Sequence, residues 1–134
     1  MHTLLRQLGD QLGLPHLAYD ASDCCGLDFD RELHAEIRYV DRAEAFNLVL
    51  ELGTLPDAGA GDLLRWLAAA NLEPALLDQA QFALDTRTGG LYLCRTLDAQ
   101  GLEVAGLIAA LRSLVSLGKR WRASVTPSVE GQEA

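Results

Sequence analysis

The sequence predicts an α+β domain in the order α-β-β-β-α-β-β-α, a mostly antiparallel twisted sheet with helices packed on it. Leucines recur at three- and four-residue spacing near the start, in the middle and late in the chain. Between these stretches apolar and polar residues alternate with a period of two, and a Gly-Gly pair separates two of the alternating runs. The first period belongs to a helix buried on one face, the second to a strand buried on one face.

Each element follows from its residues. Thr3 to Leu12 carries leucines at 4, 5, 8 and 12 on one helical face, and Gly13 with Pro15 ends the helix. After a turn containing Asp20, Ser22 and Asp23 the period changes. Leu27 and Phe29 alternate with Asp28 and Asp30, and Leu33, Ala35, Ile37 and Tyr39 with His34, Glu36 and Arg38. Phe46, Leu48, Leu50 and Leu52 alternate with Asn47, Val49 and Glu51. Three such runs separated by charged turns predict an antiparallel meander with one buried face. The turn-rich stretch Pro56 to Gly61 leads to a helix capped by Asp62 and running to about Asn71. Leu63, Leu67 and Ala70 form one stripe of it, and Leu64, Ala68 and Asn71 a second, with Trp66 beside them. That arc is wider than one sheet needs. Gln81 to Thr86 and Leu91 to Thr96 flank Arg87-Thr88-Gly89-Gly90, a hairpin whose glycines supply positive φ. A long helix from Leu102 to about Val125 presents Val104, Leu107, Ile108, Leu111, Leu114, Val115 and Trp121 on one face. Residues 1–125 are expected as one domain and 126–134, polar and broken by Pro127, as a disordered C-terminal tail.

Composition narrows the function. The chain has 134 residues, 11 basic and 19 acidic, for a net charge of −8. Such a surface repels phosphate backbones, so no nucleic-acid partner is expected. Apolar runs such as Leu67-Ala68-Ala69-Ala70 are too short to span a bilayer, and Met1 to Asp10 lacks the pattern of a secretory signal. A cytoplasmic protein with no membrane partner is the expectation. Residues 1–103 hold 7 basic and 17 acidic groups, a net of −10, and 104–134 hold 4 and 2, a net of +2. The late cluster Arg112, Lys119, Arg120 and Arg122 is expected near the C-terminal end of the last helix, offsetting its dipole. Cys24, Cys25 and Cys94 form no CxxC, so neither a zinc clip nor a redox pair is encoded, and reduced thiols are expected.

No active site assembles from the sequence. Asp28 and Asp30 place two carboxylates on one strand face about 7 Å apart, a spacing compatible with a divalent metal in a small transferase. The same pattern is that of a solvent-facing strand, and no third ligand is fixed. His2, His16 and His34 are scattered. Gly59-Ala60-Gly61 lacks the Gly-Lys-Ser/Thr ending of a phosphate loop, and Asp62 would stand where phosphate must sit. The serines lie in no nucleophile elbow, and Cys24 has Asp23 rather than a cation beside it in sequence. No catalytic residue, metal or cofactor is therefore expected. What is left over is apolar helix surface, which suits protein partners.

Several phrases, in this order and spacing, resemble the class I type III secretion chaperones, the family that includes the Tir chaperone. They are Leu4-Leu5 to Gly13-Leu14-Pro15, the strands LDFD and LHAEIRYV, and FNLVLELGTLP leading into LLRWLAAANL. The strand-turn-strand QFALDTRTGGLYLCRTL and a last helix with Lys119-Arg120-Trp121-Arg122 complete the match, over about residues 3–125. Cys24-Cys25 and the polar tail depart from it. The resemblance implies an acidic homodimer in the cytoplasm of Gram-negative bacteria. It would hold the N-terminal region of a secreted effector in an extended, secretion-competent state, as part of virulence, and hand it to the export ATPase without catalysis of its own. It places the dimer contact at Leu63, Leu64, Trp66, Leu67, Ala68, Asn71 and Tyr92, and effector binding at Leu5, Leu8, Leu12, Leu27, Phe29, Leu33, Ile37 and Tyr39. A regulator of the same fold that sequesters a secretion-system regulator is the alternative, and a transferase using Asp28 and Asp30 the reading from another class.

Overall fold

The computed structural model describes residues 2–14, 17, 19–20, 23–29, 33–73, 75 and 77–133, with side chains described within 3–122. Its elements are α1 (His2–Leu12), β1 (Cys24–Phe29), β2 (Leu33–Val40), a 3-10 turn (Asp41–Ala43), β3 (Ala45–Thr54), α2 (Ala60–Asn71), β4 (Gln81–Asp85), β5 (Gly90–Asp98) and α3 (Val104–Glu133). The helix and strand order is the one the periodicity predicts. The strands form one antiparallel sheet in the order β1-β2-β3-β5-β4, so β1 and β4 are its edges. Among the described residues no helix is long and apolar enough to cross a membrane.

Local chemistry explains the boundaries. Gly13 takes φ 71° past the end of α1, and Leu14 N–H donates to the Gly9 carbonyl at 2.8 Å, the long-range bond of a glycine-terminated helix. Gly9 has a second role, because a Cβ there would run into the Leu14 carbonyl. The β4–β5 turn uses Gly89 at φ 75°, while Gly90 begins the next strand. Asp85 holds that turn, accepting from Arg87 N–H at 2.9 Å through its side chain and from Gly89 N–H at 2.8 Å through its carbonyl.

One face of the sheet builds the core. Cys25 and Leu27 of β1, Leu33, Ala35 and Ile37 of β2, Phe46, Leu48 and Leu50 of β3, Leu93 of β5 and Phe82 of β4 are all buried. Their register places Leu27, Ala35, Leu50, Leu93 and Phe82 in one apolar row that crosses all five strands. α3 crosses this face over β3 and β5 and packs against α1, contributing Leu107, Leu111 and Leu114; α2 lies beside β4. At Gly118 α3 comes so close that an added Cβ would meet the buried Leu50 side chain. Each fully buried leucine of this kind contributes about 1.5–3 kcal/mol relative to exposure.

Three expectations are corrected. Asp62 is not the cap of α2: Gly59, at φ 76°, occupies that position, and Asp62 sits in the first turn, where its charge complements the dipole. α3 runs to Glu133 rather than ending at about Val125. The spacing Trp121, Val125, Val129 keeps one helical pitch, and Pro127 removes a single main-chain donor. Because α3 runs on, Lys119, Arg120 and Arg122 lie within it rather than at its C-terminal end, and their charges do not meet the helix terminus. The segment between α2 and β4 is anchored in a way the sequence did not reveal. Asp78, at φ 48°, accepts from Ser113 Oγ of α3 and pairs with Arg95 of β5 at 3.6 Å.

Candidate functional site

The sheet face opposite the helices is lined by polar side chains in cross-strand pairs. Asp28 of β1 lies directly opposite His34 of β2, and Asp28 Oδ1 is 2.8 Å from His34 Nδ1. That hydrogen bond, opposed in part by desolvation, holds the His34 pKa above its ordinary value of 6.5. Glu36 and Arg38 pair along the same strand at 3.2 Å. Arg38 also stands opposite Cys24 and is held more basic chiefly by a hydrogen bond to it. Burial pushes the Cys94 thiol up, against the pull of Arg38. A shallow depression of about 420 Å³ lies over this face, lined by groups including Arg38, Asn47, Val49, Glu51 and Tyr92.

Asp28 is engaged by His34, and Asp30 lies outside the described residues, as do Pro15, His16 and Ser22. Among the described residues no group of three or more His, Cys, Asp or Glu side chains converges to hold a metal ion.

α2 presents the other surface. Leu67 is buried against the core, whereas Trp66 is 53% exposed, Ala68 and Ala69 are exposed, and Leu72, just past the helix end, is 81% exposed. Leu72 continues the four-residue spacing of Leu64 and Ala68, a signal already present in the sequence. Trp66 meets Trp121 of α3 in a tilted pair with ring centroids 3.8 Å apart, and Trp121 meets Phe82 of β4 edge-on at 4.2 Å. Of this aromatic group Trp121 lines an apolar cavity of about 350 Å³, together with Leu63, Leu67 and Leu91.

The predicted residues therefore separate into two groups. Of the effector-binding set, Leu5, Leu8, Leu27, Leu33 and Ile37 are at most 3% exposed and belong to the core. Period-two and heptad-like burial look the same for a core and for a groove. Leu12, Phe29 and Tyr39 are half-buried at the core's rim. Of the dimer set, Trp66 and Ala68 are exposed, Leu63, Leu64 and Tyr92 half-buried, and Leu67 is a core residue. Asn71 is used internally: its Nδ2 donates to the Phe82 carbonyl at 3.1 Å, and its Oδ1 accepts from Phe82 N–H at 2.6 Å.

Comparison with known proteins gives a consistent result. The sequence matches the model of the Tir chaperone protein (CesT) family over residues 3–122. No curated protein sequence matches it. Among solved structures, a chain of the HopA1–SchA chaperone–effector complex superposes with a TM-score of 0.79 at 21% identity, covering 91% of this chain and 92% of that one. A chain of the ExsC–ExsE complex does so at 0.79 and 23% identity, covering 90% of each. A chain of the ExoU–SpcU heterodimer from the type III secretion system of Pseudomonas aeruginosa superposes at 0.62 and 19% identity, covering 93% of each. At these identities the likeness to the solved structures is one of fold.

Proposed function

This chain belongs to the Tir chaperone protein (CesT) family, and on that premise we propose that it is a type III secretion chaperone. It binds the N-terminal region of a secreted effector and keeps it extended and competent for export, acting as a cytoplasmic homodimer that delivers its cargo to the export ATPase. The observation that carries this reading is the family match, which spans the entire sheet, α2, nearly all of α1 and α3 as far as Arg122. Such a role needs no catalytic group. It needs surfaces that accept polypeptide: main chain along a strand edge, and apolar side chains in recesses beside it. Leu12, Phe29 and Tyr39, half-buried at the rim, are the members of the effector-binding set that suit such a surface. Trp66, Ala68 and Leu72 on the outer side of α2 suit a second copy, with Leu63, Leu64 and Tyr92 at its margin.

The test is capture of the tagged protein from its host's cytoplasm, with the eluate examined by size-exclusion light scattering and mass spectrometry. A dimer carrying the N-terminal region of one secreted protein is expected. A clean monomer that brings down no polypeptide would overturn the reading.

A further inference from the structure

The apolar cavity beside Trp121, of about 350 Å³, is bounded by β3, β5, α2, α3 and the loop that follows β3. Small-molecule sites begin at roughly 300 Å³. One wall is the unbroken run from Leu52 to Pro56. In a regular strand neighbouring residues face opposite sides, so five in succession could not border one space. A bulge between Glu51 and Gly53 breaks that alternation. Gly53 takes φ 134°, which needs glycine, and Leu55 N–H ties the run to the β4–β5 hairpin by donating to the Gly89 carbonyl at 2.7 Å. The facing walls are Leu63 and Leu67, one turn apart on α2, with Leu91 of β5 and Trp121 of α3. Leu67 is buried, whereas Leu52, Leu63, Leu91 and Trp121 are half-buried. The packing of the chain thus leaves apolar surface around this space uncovered.

Among the described residues Arg122 is the only charged side chain that lines the cavity. It also lines a smaller recess of about 180 Å³, which shares Leu52 and Gly53 with the cavity and carries Asp28, His34 and Glu51. The guanidinium therefore stands at the border of an apolar space and an acidic one. Its five donors lie in one plane and can serve groups on both sides. Asp28 and Glu51 repel a carboxylate brought to that border, and Arg122 itself repels a cation. An uncharged acceptor escapes both penalties.

We propose that this cavity binds a small amphiphile, an aliphatic chain or ring that ends in an uncharged hydrogen-bond acceptor such as an amide, ester or alcohol. The apolar body lies against Leu63, Leu67, Leu91 and Trp121, and the acceptor takes a hydrogen bond from Arg122. The proposal does not rest on the chaperone reading.

Amide NMR titration of the full chain with octanamide, octanoate and octylammonium, which differ in the head group, tests it. Octanamide should give saturable shifts at Leu52, Leu55, Leu63, Leu91 and the Trp121 indole, and the two charged probes should bind about tenfold more weakly. Arg122→Met keeps an apolar stem but no donor, and should weaken octanamide about tenfold. Arg120→Met, at an exposed position of α3, should not. Absence of saturable shifts at millimolar octanamide, equal affinity for the three probes, or unchanged octanamide affinity in Arg122→Met would each overturn the proposal. Shifts centred on Trp66, Ala68 and Leu72 would place the amphiphile on the outer side of α2 and overturn it as well. So would loss of self-association on saturation, read by sedimentation, because a second copy would then be the occupant of the cavity.

Discussion

Asp28 and His34 show how register turns two ordinary residues into an interacting pair. They face each other at a position where neither turns main-chain groups inward, the type of antiparallel pair in which side chains stand closest. Gly26 makes room, since a Cβ there would come within 3.0 Å of His34 Cε1. The groups acting on the imidazole are Asp28, Glu36 and Glu51, with Arg122 of α3 lining the same recess. Because the folded-state pKa of His34 lies above its ordinary value, the pair's contribution to stability is complete below about pH 6.5 and fades as the pH rises through the folded-state pKa. Asp28→Asn should lower the His34 pKa, read by NMR titration of its ring protons, and flatten the decline of the urea midpoint between roughly pH 6 and 8. Gly118 makes a different demand. Leu50 is fully buried beneath it and cannot swing aside, so Gly118→Ala should cost about 1–3 kcal/mol in urea unfolding even though alanine is the better helix former.

At the scale of elements, α2 divides its two sides between the protomer and its surroundings. Leu67 faces the core and Trp66 the outside, one residue apart on the helix. Leu67→Ala should therefore lower stability by about 2–5 kcal/mol. Trp66→Ala should lose only its tilted ring contact with Trp121, about 0.5–1.5 kcal/mol, while weakening self-association measured by sedimentation across a concentration series. Equal stability losses in the two variants, with no change in association, would remove α2 from the proposed dimer contact. The width of the apolar arc was readable in the sequence, and Leu72 continued it. That Asn71 would turn back onto Phe82 was not, because the two residues are brought together by a loop whose path depends on Asp78 meeting Ser113 and Arg95.

Over the whole molecule, burial divides the apolar residues into those that make the fold and those that remain available. Leu8 and Ile37 are completely buried, whereas Phe29 and Tyr39 keep part of their surface in solvent. Alanine at Leu8 or Ile37 should cost about 2–5 kcal/mol and reduce effector capture only as far as the unfolded fraction grows. Phe29→Ser should reduce capture while the urea midpoint moves much less. Parallel unfolding and co-purification measurements of these variants distinguish the two effects. A loss of capture in Ile37→Ala at full folding would return that residue to the binding surface.

The order of helices and strands, the hairpin at Gly89 and the apolar face of each element were determined by the sequence alone, because each follows from periodicity and turn chemistry over a few neighbouring residues. Tertiary structure decided which apolar residues stay exposed, which cation meets Cys24, and which main chain Asn71 holds. These depend on how strands are ordered and how far helices slide across the sheet. A period of two marks a strand's buried face in the same way whether a helix or a partner covers it, so only the packed molecule separates core from surface.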